Sequence, residues 1–235
     1  MKTVLVTGAS RGIGKAVAHR LAAQGHSLVL AARDIAALDQ VASSLPRVNN
    51  EQTFDTISLD FEHFKSPEQW TYTKRVDALV NSAGIAPYKL LVRQTPEQIA
   101  AIFQINVLAP MLLTRELVKQ MMKRGNGGDF IFLSSVLAAK GVPGMCAYSA
   151  SKGAVDSFVR TLAREIGAKG FRVNAIAPAL VNTDMGQSAN FEQSTAINIV
   201  REFVAPEEVA NAVSFLLATP SVNGTILRID HGASA

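Results

Sequence analysis

Residues 3–14, Thr-Val-Leu-Val-Thr-Gly-Ala-Ser-Arg-Gly-Ile-Gly, decide the fold of this chain. An apolar, β-branched run opens the stretch and breaks at Thr7-Gly8, and a segment with helical spacing follows as far as Gly25. Three glycines between a first strand and a first helix let the backbone approach a pyrophosphate, whose charge then meets the helix N-terminus. We therefore predict a dinucleotide-binding turn, and its predicted cofactor-binding residues are Gly8, Ser10, Arg11, Gly12, Ile13 and Gly14.

Outward from this turn, short apolar segments alternate with helical patterns along the chain. Strands that are apolar on both sides and alternate with helices favour a parallel sheet covered on both faces. We predict an α/β fold, with one Rossmann-like, doubly wound sheet of seven mainly parallel strands and helices on both faces, in a single domain over residues 1–235. A polar segment at about 183–205 breaks the alternation and is predicted to be a substrate lid. The predicted strands are 3–6, 27–31, 56–59, 78–80, 130–133, 172–177 and 225–229, and the predicted long helix is 96–122.

The end of the second strand predicts which nicotinamide cofactor is bound. A carboxylate there accepts the ribose 2′-hydroxyl of NAD, whereas an arginine accommodates the 2′-phosphate of NADP. The strand ends with Arg33, and Arg11 belongs to the adjacent turn. Asp34 is a competing signal, because it could bind a ribose or cap the next helix. Since two arginines flank the site, we predict NADP(H).

Tyr148 and Lys152 form the candidate catalytic pair. They are four positions apart in the sequence, so both side chains lie on the same side of a helix. A tyrosine is a poor acid-base catalyst at neutral pH, and a neighbouring ammonium is expected to lower its pKa. Ser135 ends the preceding strand at the carboxyl edge of the sheet, where ligands bind.

Taken together, these motifs resemble the single-domain branch of the short-chain dehydrogenase/reductase family along essentially the whole chain. The resemblance implies that Tyr148 protonates the substrate oxygen and that Ser135 holds it. It also implies that Lys152 lowers the pKa of Tyr148 and binds the nicotinamide ribose, while Asn106 anchors a water for proton relay. Further residues that the resemblance places at the cofactor are Asp60, Phe61, Asn81, Ala83, Gly84, Tyr148, Lys152, Pro178, Val181 and Thr183.

The chain departs from the family pattern without losing a catalytic group. Ser82 stands where a second asparagine is usual, and Ala179 and His231 each replace a common glycine. The segment 60–77 is a few residues shorter than is usual in the family. We expect a structural or interfacial role for His231 and an abbreviated helix within 60–77.

Composition limits the other function classes. Apolar residues make up 48% of the chain and charged residues 18%, which is typical of a packed globule. One cysteine, Cys146, cannot form a disulfide within the chain, and we expect no metal site, no membrane span and no nucleic-acid partner. We expect a cytoplasmic location, or an organelle matrix in a eukaryote.

Within the family, the chain is most similar to 3-oxoacyl-acyl-carrier-protein reductases and related carbonyl reductases. This similarity implies NADPH-dependent reduction of a 3-oxoacyl thioester in fatty acid synthesis. The alternatives are a free ketone, quinone, steroid or polyketide substrate, or a dinucleotide-binding sensor without turnover. The resemblance further implies a homotetramer with the helices of Asn106 and Tyr148 between subunits. Four cations, which could equally be ordinary solvated charges, are candidates for docking an acidic carrier protein: Lys123, Arg124, Lys169 and Arg172.

Overall fold

A seven-stranded parallel sheet forms the centre of the computed structural model, which describes residues 1–187 and 202–234. The strand order is β3-β2-β1-β4-β5-β6-β7, and every neighbouring pair is parallel. This order confirms the predicted doubly wound fold. The strands are β1 (Thr3–Thr7), β2 (Ser27–Ala32), β3 (Phe54–Ser58), β4 (Ala78–Asn81), β5 (Gly128–Leu133), β6 (Phe171–Pro178) and β7 (Ile226–Ile229).

Helices cover both faces of the sheet, as the alternation of patterns predicted. Successive side chains of β1 point to opposite faces: Val4 and Val6 join one buried cluster, and Leu5 joins the other. The first cluster includes residues of α1, α2 and α7, and the second includes residues of α4 and α5. The helices are α1 (Gly12–Ala23), α2 (Ile35–Ser44), α3 (Pro96–Phe103), α4 (Ala109–Lys123), α5 (Cys146–Ile166), α6 (Asp184–Gln187) and α7 (Pro206–Ala218).

The predicted long helix is interrupted in its middle. A π-helical turn at Gln104–Leu108 joins α3 to α4, so the helical run extends over Pro96–Lys123. Among the described residues this run is the one long and apolar enough to cross a membrane, with a mean hydropathy of 1.3 and half of its apolar window buried. A core helix passes the same test, so the expected absence of a membrane span stays a prediction.

Three smaller predictions meet different outcomes. Residues 60–77 contain one 3₁₀ turn, Pro67–Gln69, in agreement with the expected abbreviated helix. His231, where a glycine is usual, adopts φ of 48°, which lies in the left-handed region that favours glycine. Of the predicted lid, the short helix α6 and a bridge between Val181 and Val204 are described, and residues 188–201 lie outside the described part.

Candidate active site

The turn between β1 and α1 is built so tightly that only glycine fits at two positions. A Cβ added to Gly14 would lie 2.2 Å from the carbonyl oxygen of Gly8, and one added to Gly8 would lie 2.9 Å from the backbone of Ala83. Gly8 also has φ of +66°, which an L side chain rarely adopts. The glycines at these two positions are therefore required because the backbone at Gly14 packs directly on Gly8, and the backbone at Gly8 packs directly on Ala83.

The N-terminus of α1 can receive an anion. Within the described residues no side chain caps this helix at Arg11, and its first turn contains no acidic residue. The free backbone N–H groups and the positive end of the helix dipole favour a phosphate at this position. This arrangement fits the pyrophosphate of a dinucleotide.

A cleft of about 480 Å³ opens beside this turn, at the carboxyl edge of the sheet. Its volume is in the usual range for a small-molecule site. Eleven residues predicted to bind the cofactor line it: Gly8, Ser10, Arg11, Gly12, Ile13, Arg33, Asp60, Phe61, Ala83, Gly84 and Thr183. Apolar lining residues that sequence reasoning missed are Leu59, Ile85, Ile105 and Met185, and the first two follow strand ends where such contacts are expected.

The remaining predicted cofactor residues do not line this cleft. Asn81 is buried, and its Oδ1 accepts a hydrogen bond of 2.9 Å from Thr7 Oγ1. The same hydroxyl oxygen accepts from the backbone N–H of Ala83, so the pair fixes the ends of β1 and β4 behind the cleft wall. The other predicted residues outside the lining are Gly14, Tyr148, Lys152, Pro178 and Val181.

The competing roles of Asp34 are resolved by its contacts. Its carboxylate accepts a hydrogen bond of 3.0 Å from the N–H of Ala37 and so caps α2. Arg33 lines the cleft with an exposed side chain, and Arg11 lies 3.5 Å from the exposed carboxylate of Asp184. Arg33 and Asp34 therefore both line the cleft, and one carboxylate oxygen of Asp34 is engaged in the helix cap.

Tyr148 and Ser135 are brought together by the start of α5 and the end of β5. The Ser135 hydroxyl is near enough to the phenol to favour its ionised form. The Ser135 oxygen also accepts from the N–H of Leu137, so its hydroxyl hydrogen is available to the phenol. Burial raises the pKa of Tyr148 to about 12, and the Ser135 hydroxyl opposes that rise.

Lys152 points to a strand carbonyl. Its Nζ donates a hydrogen bond of 2.7 Å to the oxygen of Leu133 and lies 5.7 Å from the centroid of the Tyr148 ring. Burial lowers the pKa of Lys152 to about 8, and the charge of Asp156 opposes this fall. Burial dominates at both groups, so the pKa of Tyr148 lies above its usual value in this structure, and the lowering expected from Lys152 stays a prediction.

Asn106 lies in the π-helical turn, a feature that often marks functional positions. Its amide donates to the carbonyl oxygen of Ile85 and accepts from the N–H of the same residue, both at 2.9 Å. A Cβ on Gly84 would lie 3.2 Å from Asn106 Oδ1 and 3.7 Å from Lys152 Nζ. The structure thus brings the side chains of Asn106 and Lys152 to the same side of Gly84.

The candidate docking cations lie at the other end of the sheet from the cleft. Lys123 ends α4 and Lys169 precedes β6, so both are at the amino edge. β5 and β6 span six and eight residues, and about 20 Å of sheet therefore separates these cations from the carboxyl edge. Arg124 is at the same edge and donates to the carbonyl oxygen of Val76.

Arg172 has a structural function. Its guanidinium donates to the carbonyl oxygens of Leu216, Leu217 and Thr219 at the end of α7, at 2.6–3.0 Å. It also pairs with Asp129 at 2.8 Å, and its side chain is only 14% exposed. The prediction that these cations dock a carrier at the active site is wrong, since sequence order did not show which sheet edge they occupy.

No group of three or more metal-ligating side chains occurs among the described residues. Cys146 is a free, exposed thiol at the first position of α5. The candidate catalytic groups at the carboxyl edge are the hydroxyls of Ser135 and Tyr148, the amide of Asn106 and the amine of Lys152, which suit hydrogen bonding and proton transfer.

The fold and site define a nucleotide-binding oxidoreductase of the Rossmann class, with a nicotinamide cofactor. A family model described as short chain dehydrogenase matches residues 2–194. The chain belongs to this family.

Individual relatives agree with this assignment. The chain is 37% identical over 234 residues to carbonyl reductase family member 4 of Danio rerio, covering 98% of this chain and 97% of that protein. It is 35% identical over 231 residues to the 3-oxoacyl-acyl-carrier-protein reductase of Rattus norvegicus, with the same coverage of 98% and 97%. A solved structure of a variant of actinorhodin polyketide ketoreductase with NADPH matches with a TM-score of 0.88 and 26% identity, covering 99% of this chain and 97% of that one.

Proposed function

We propose that this protein reduces a ketone to a secondary alcohol with NADPH, and that its substrate is a 3-oxoacyl thioester on an acyl carrier protein. The observation that carries the proposal is the convergence of Ser135, Tyr148 and Lys152 at the carboxyl edge of the sheet, where Lys152 Nζ lies 5.7 Å from the centroid of the Tyr148 ring. A nicotinamide cofactor, when bound, supplies the hydride.

The chain's own residues supply the proton and the polarisation. Two hydroxyl groups, those of Ser135 and Tyr148, converge where a carbonyl oxygen can accept both hydrogen bonds. Tyr148 is protonated at neutral pH, because burial raises its pKa to about 12, and so it is the proton donor. Lys152 is the adjacent cation, and Asn106 holds the turn that faces it.

The preference for NADPH is supported by the end of β2. Arg33 is exposed in the cleft, and its planar fork of donors suits a 2′-phosphate. Asp34, the carboxylate that would favour the ribose of NAD, has one oxygen engaged in capping α2. The related ketoreductase structure described above was solved with NADPH.

The carrier-linked substrate is supported by the relatives of that name, at 35% identity in the rat protein. Reduction of a free carbonyl compound is the second candidate, since the Danio rerio relative is named a carbonyl reductase. A polyketide substrate is a further form of the same chemistry, in view of the ketoreductase structure. All of these substrates require the same proton donor. The catalytic groups therefore do not distinguish between them, and an assay with several substrates does.

The test is NADPH oxidation with a 3-oxoacyl thioester on acyl carrier protein, the same acyl group on a small thiol, a quinone and a steroid ketone. NADH is run in parallel, with Tyr148→Phe as the control. We expect the highest kcat/KM with the carrier-linked thioester, and a loss of at least about 100-fold in Tyr148→Phe. Wild-type rates in Tyr148→Phe, or no turnover of any carbonyl, would refute the proposal, and tight NADPH binding without turnover would favour a sensor.

We also propose a homotetramer in a reducing compartment such as the cytoplasm. Exposed apolar side chains at Leu108 and Met111, next to and within α4, support an assembly through this helix. Sedimentation at several protein concentrations measures the assembly, and a monomer at all concentrations would contradict it.

A further inference from the structure

The last residues of β5 and the first three turns of α5 are joined by a ladder of three contacts. The Leu133 carbonyl accepts from Lys152, and the Ser135 hydroxyl lies near the phenol of Tyr148. From the residue between them, Ser134 Oγ donates a hydrogen bond of 2.5 Å to Asp156 Oδ1. The last residue of β5 and the two residues after it therefore meet three helix residues spaced four apart, which share one helix face.

Asp156 is the member of this ladder that the proposed reaction does not use. Its side chain is buried, at 9% exposure, one helical turn beyond Lys152. Burial raises the pKa of Asp156, and the Ser134 hydroxyl opposes this effect, as do the cations Arg160, Lys152 and Arg228. Its carboxylate also faces a second cavity of about 350 Å³, which Arg160, Arg228 and Ser135 line with it.

Lys152 needs an opposite charge at this position. Its amine is buried, and desolvation favours the neutral form. The oxygen that accepts a hydrogen bond from it is the uncharged carbonyl of Leu133. Among the described residues, Asp156 is the group whose charge favours the ammonium form of Lys152.

We propose that Asp156, anchored by Ser134, is a positioning residue that keeps the charge on Lys152 and holds α5 in register with the end of β5. The part that concerns catalysis rests on the proposed reductase function. The part that concerns the charge of Lys152 can be measured without any substrate.

The test is an NMR titration of the lysine side-chain amines in the full chain, with the Lys152 signal assigned by its loss in Lys152→Arg. Removing the carboxylate in Asp156→Asn removes a charge that favours the ammonium, so the titration of Lys152 moves to lower pH, by at least a few tenths of a unit. If reduction requires the ammonium, the alkaline limb of NADPH oxidation moves down with it. Glu165→Gln is the matched control, since Glu165 is an exposed acid on the same helix.

Two further variants keep the proposal testable if Asp156→Asn does not fold. Asp156→Glu retains the charge, and we expect a Lys152 titration close to that of the wild type. Ser134→Ala retains the carboxylate but frees it from the strand, and we expect a smaller shift in the direction of Asp156→Asn together with a lower kcat.

An unchanged Lys152 titration in Asp156→Asn and Ser134→Ala would overturn the proposal, as would an equal shift in Glu165→Gln. A uniform loss of kcat at every pH without a titration shift would assign Asp156 a merely structural role and also overturn it. A chain that reduces no carbonyl refutes the proposed function alone, because the titration is still readable in that chain.

Discussion

Gly14→Ala tests whether the phosphate turn is set by backbone packing. The added Cβ would lie 2.2 Å from the carbonyl oxygen of Gly8 and 2.7 Å from its carbonyl carbon. Ordinary contacts begin at 3.4 Å, so the strand end and the helix must separate by more than an ångström. Neither atom belongs to a flexible side chain that could move aside.

The magnitude follows from two opposing effects. Overpacking of this kind costs about 1–3 kcal/mol, and a contact against backbone is at the upper end. Alanine in place of glycine in a helix returns about 1 kcal/mol. We expect a net loss of about 2 kcal/mol in the free energy of unfolding, a Tm lower by about 4–8 °C, and at least about tenfold weaker NADPH binding, because the N–H groups at the start of α1 move.

Urea unfolding and a fluorescence titration with NADPH measure the two effects. Gly153→Ala is the matched control, because the same substitution in α5 places a Cβ at 3.7 Å from the Ala138 oxygen and meets no closer atom. We expect Gly153→Ala to retain or slightly raise the Tm. If Gly14→Ala unfolds and binds NADPH like the wild type, the packing argument is refuted.

Three more predictions follow from single contacts. Arg33→Ala should weaken NADPH binding by about 10–100-fold with little change for NADH, since a charged hydrogen-bond donor is lost; equal losses in both titrations would contradict a phosphate contact. Gln52→Ala should lower the free energy of unfolding by about 2–3 kcal/mol in urea, because its buried amide serves two carbonyls and two N–H groups; Gln40→Ala, on the exposed side of α2, should cost less than about 1 kcal/mol. Arg172→Leu should cost about 3 kcal/mol by leaving Asp129 less well paired, while KM for a carrier-linked substrate stays unchanged; a raised KM would restore its docking role.

The sequence was most informative where function depends on local backbone geometry. The glycine turn, the strand that precedes it and the spacing of Tyr148 and Lys152 are all properties of neighbouring residues, and each was predicted correctly in placement. The parallel sheet was also predicted correctly, because a chain in which apolar strands alternate with helices can adopt only a few strand topologies.

What the sequence left open or missed depends on contacts that only the folded chain shows. For Asp34 the sequence allowed a helix cap or a ribose contact, and the structure shows the cap on the N–H of Ala37. In the sequence Arg172 cannot be distinguished from a surface cation. Its role becomes visible only in the fold, where it donates to a carbonyl at the end of α7. The π-helical turn at Asn106 leaves the apolar pattern of the long helix intact, and therefore no periodicity indicates it.

The pKa of Tyr148 shows what the spacing of residues cannot supply. Sequence spacing places a cation near the tyrosine, but it does not reveal how deeply the two groups are buried. Burial raises the pKa of Tyr148 to about 12 and lowers that of Lys152 to about 8. The phenol therefore carries its proton at neutral pH. A protonated phenol at the carboxyl edge of the sheet can act as a proton donor, and it becomes a base only when a neighbouring group favours the phenolate.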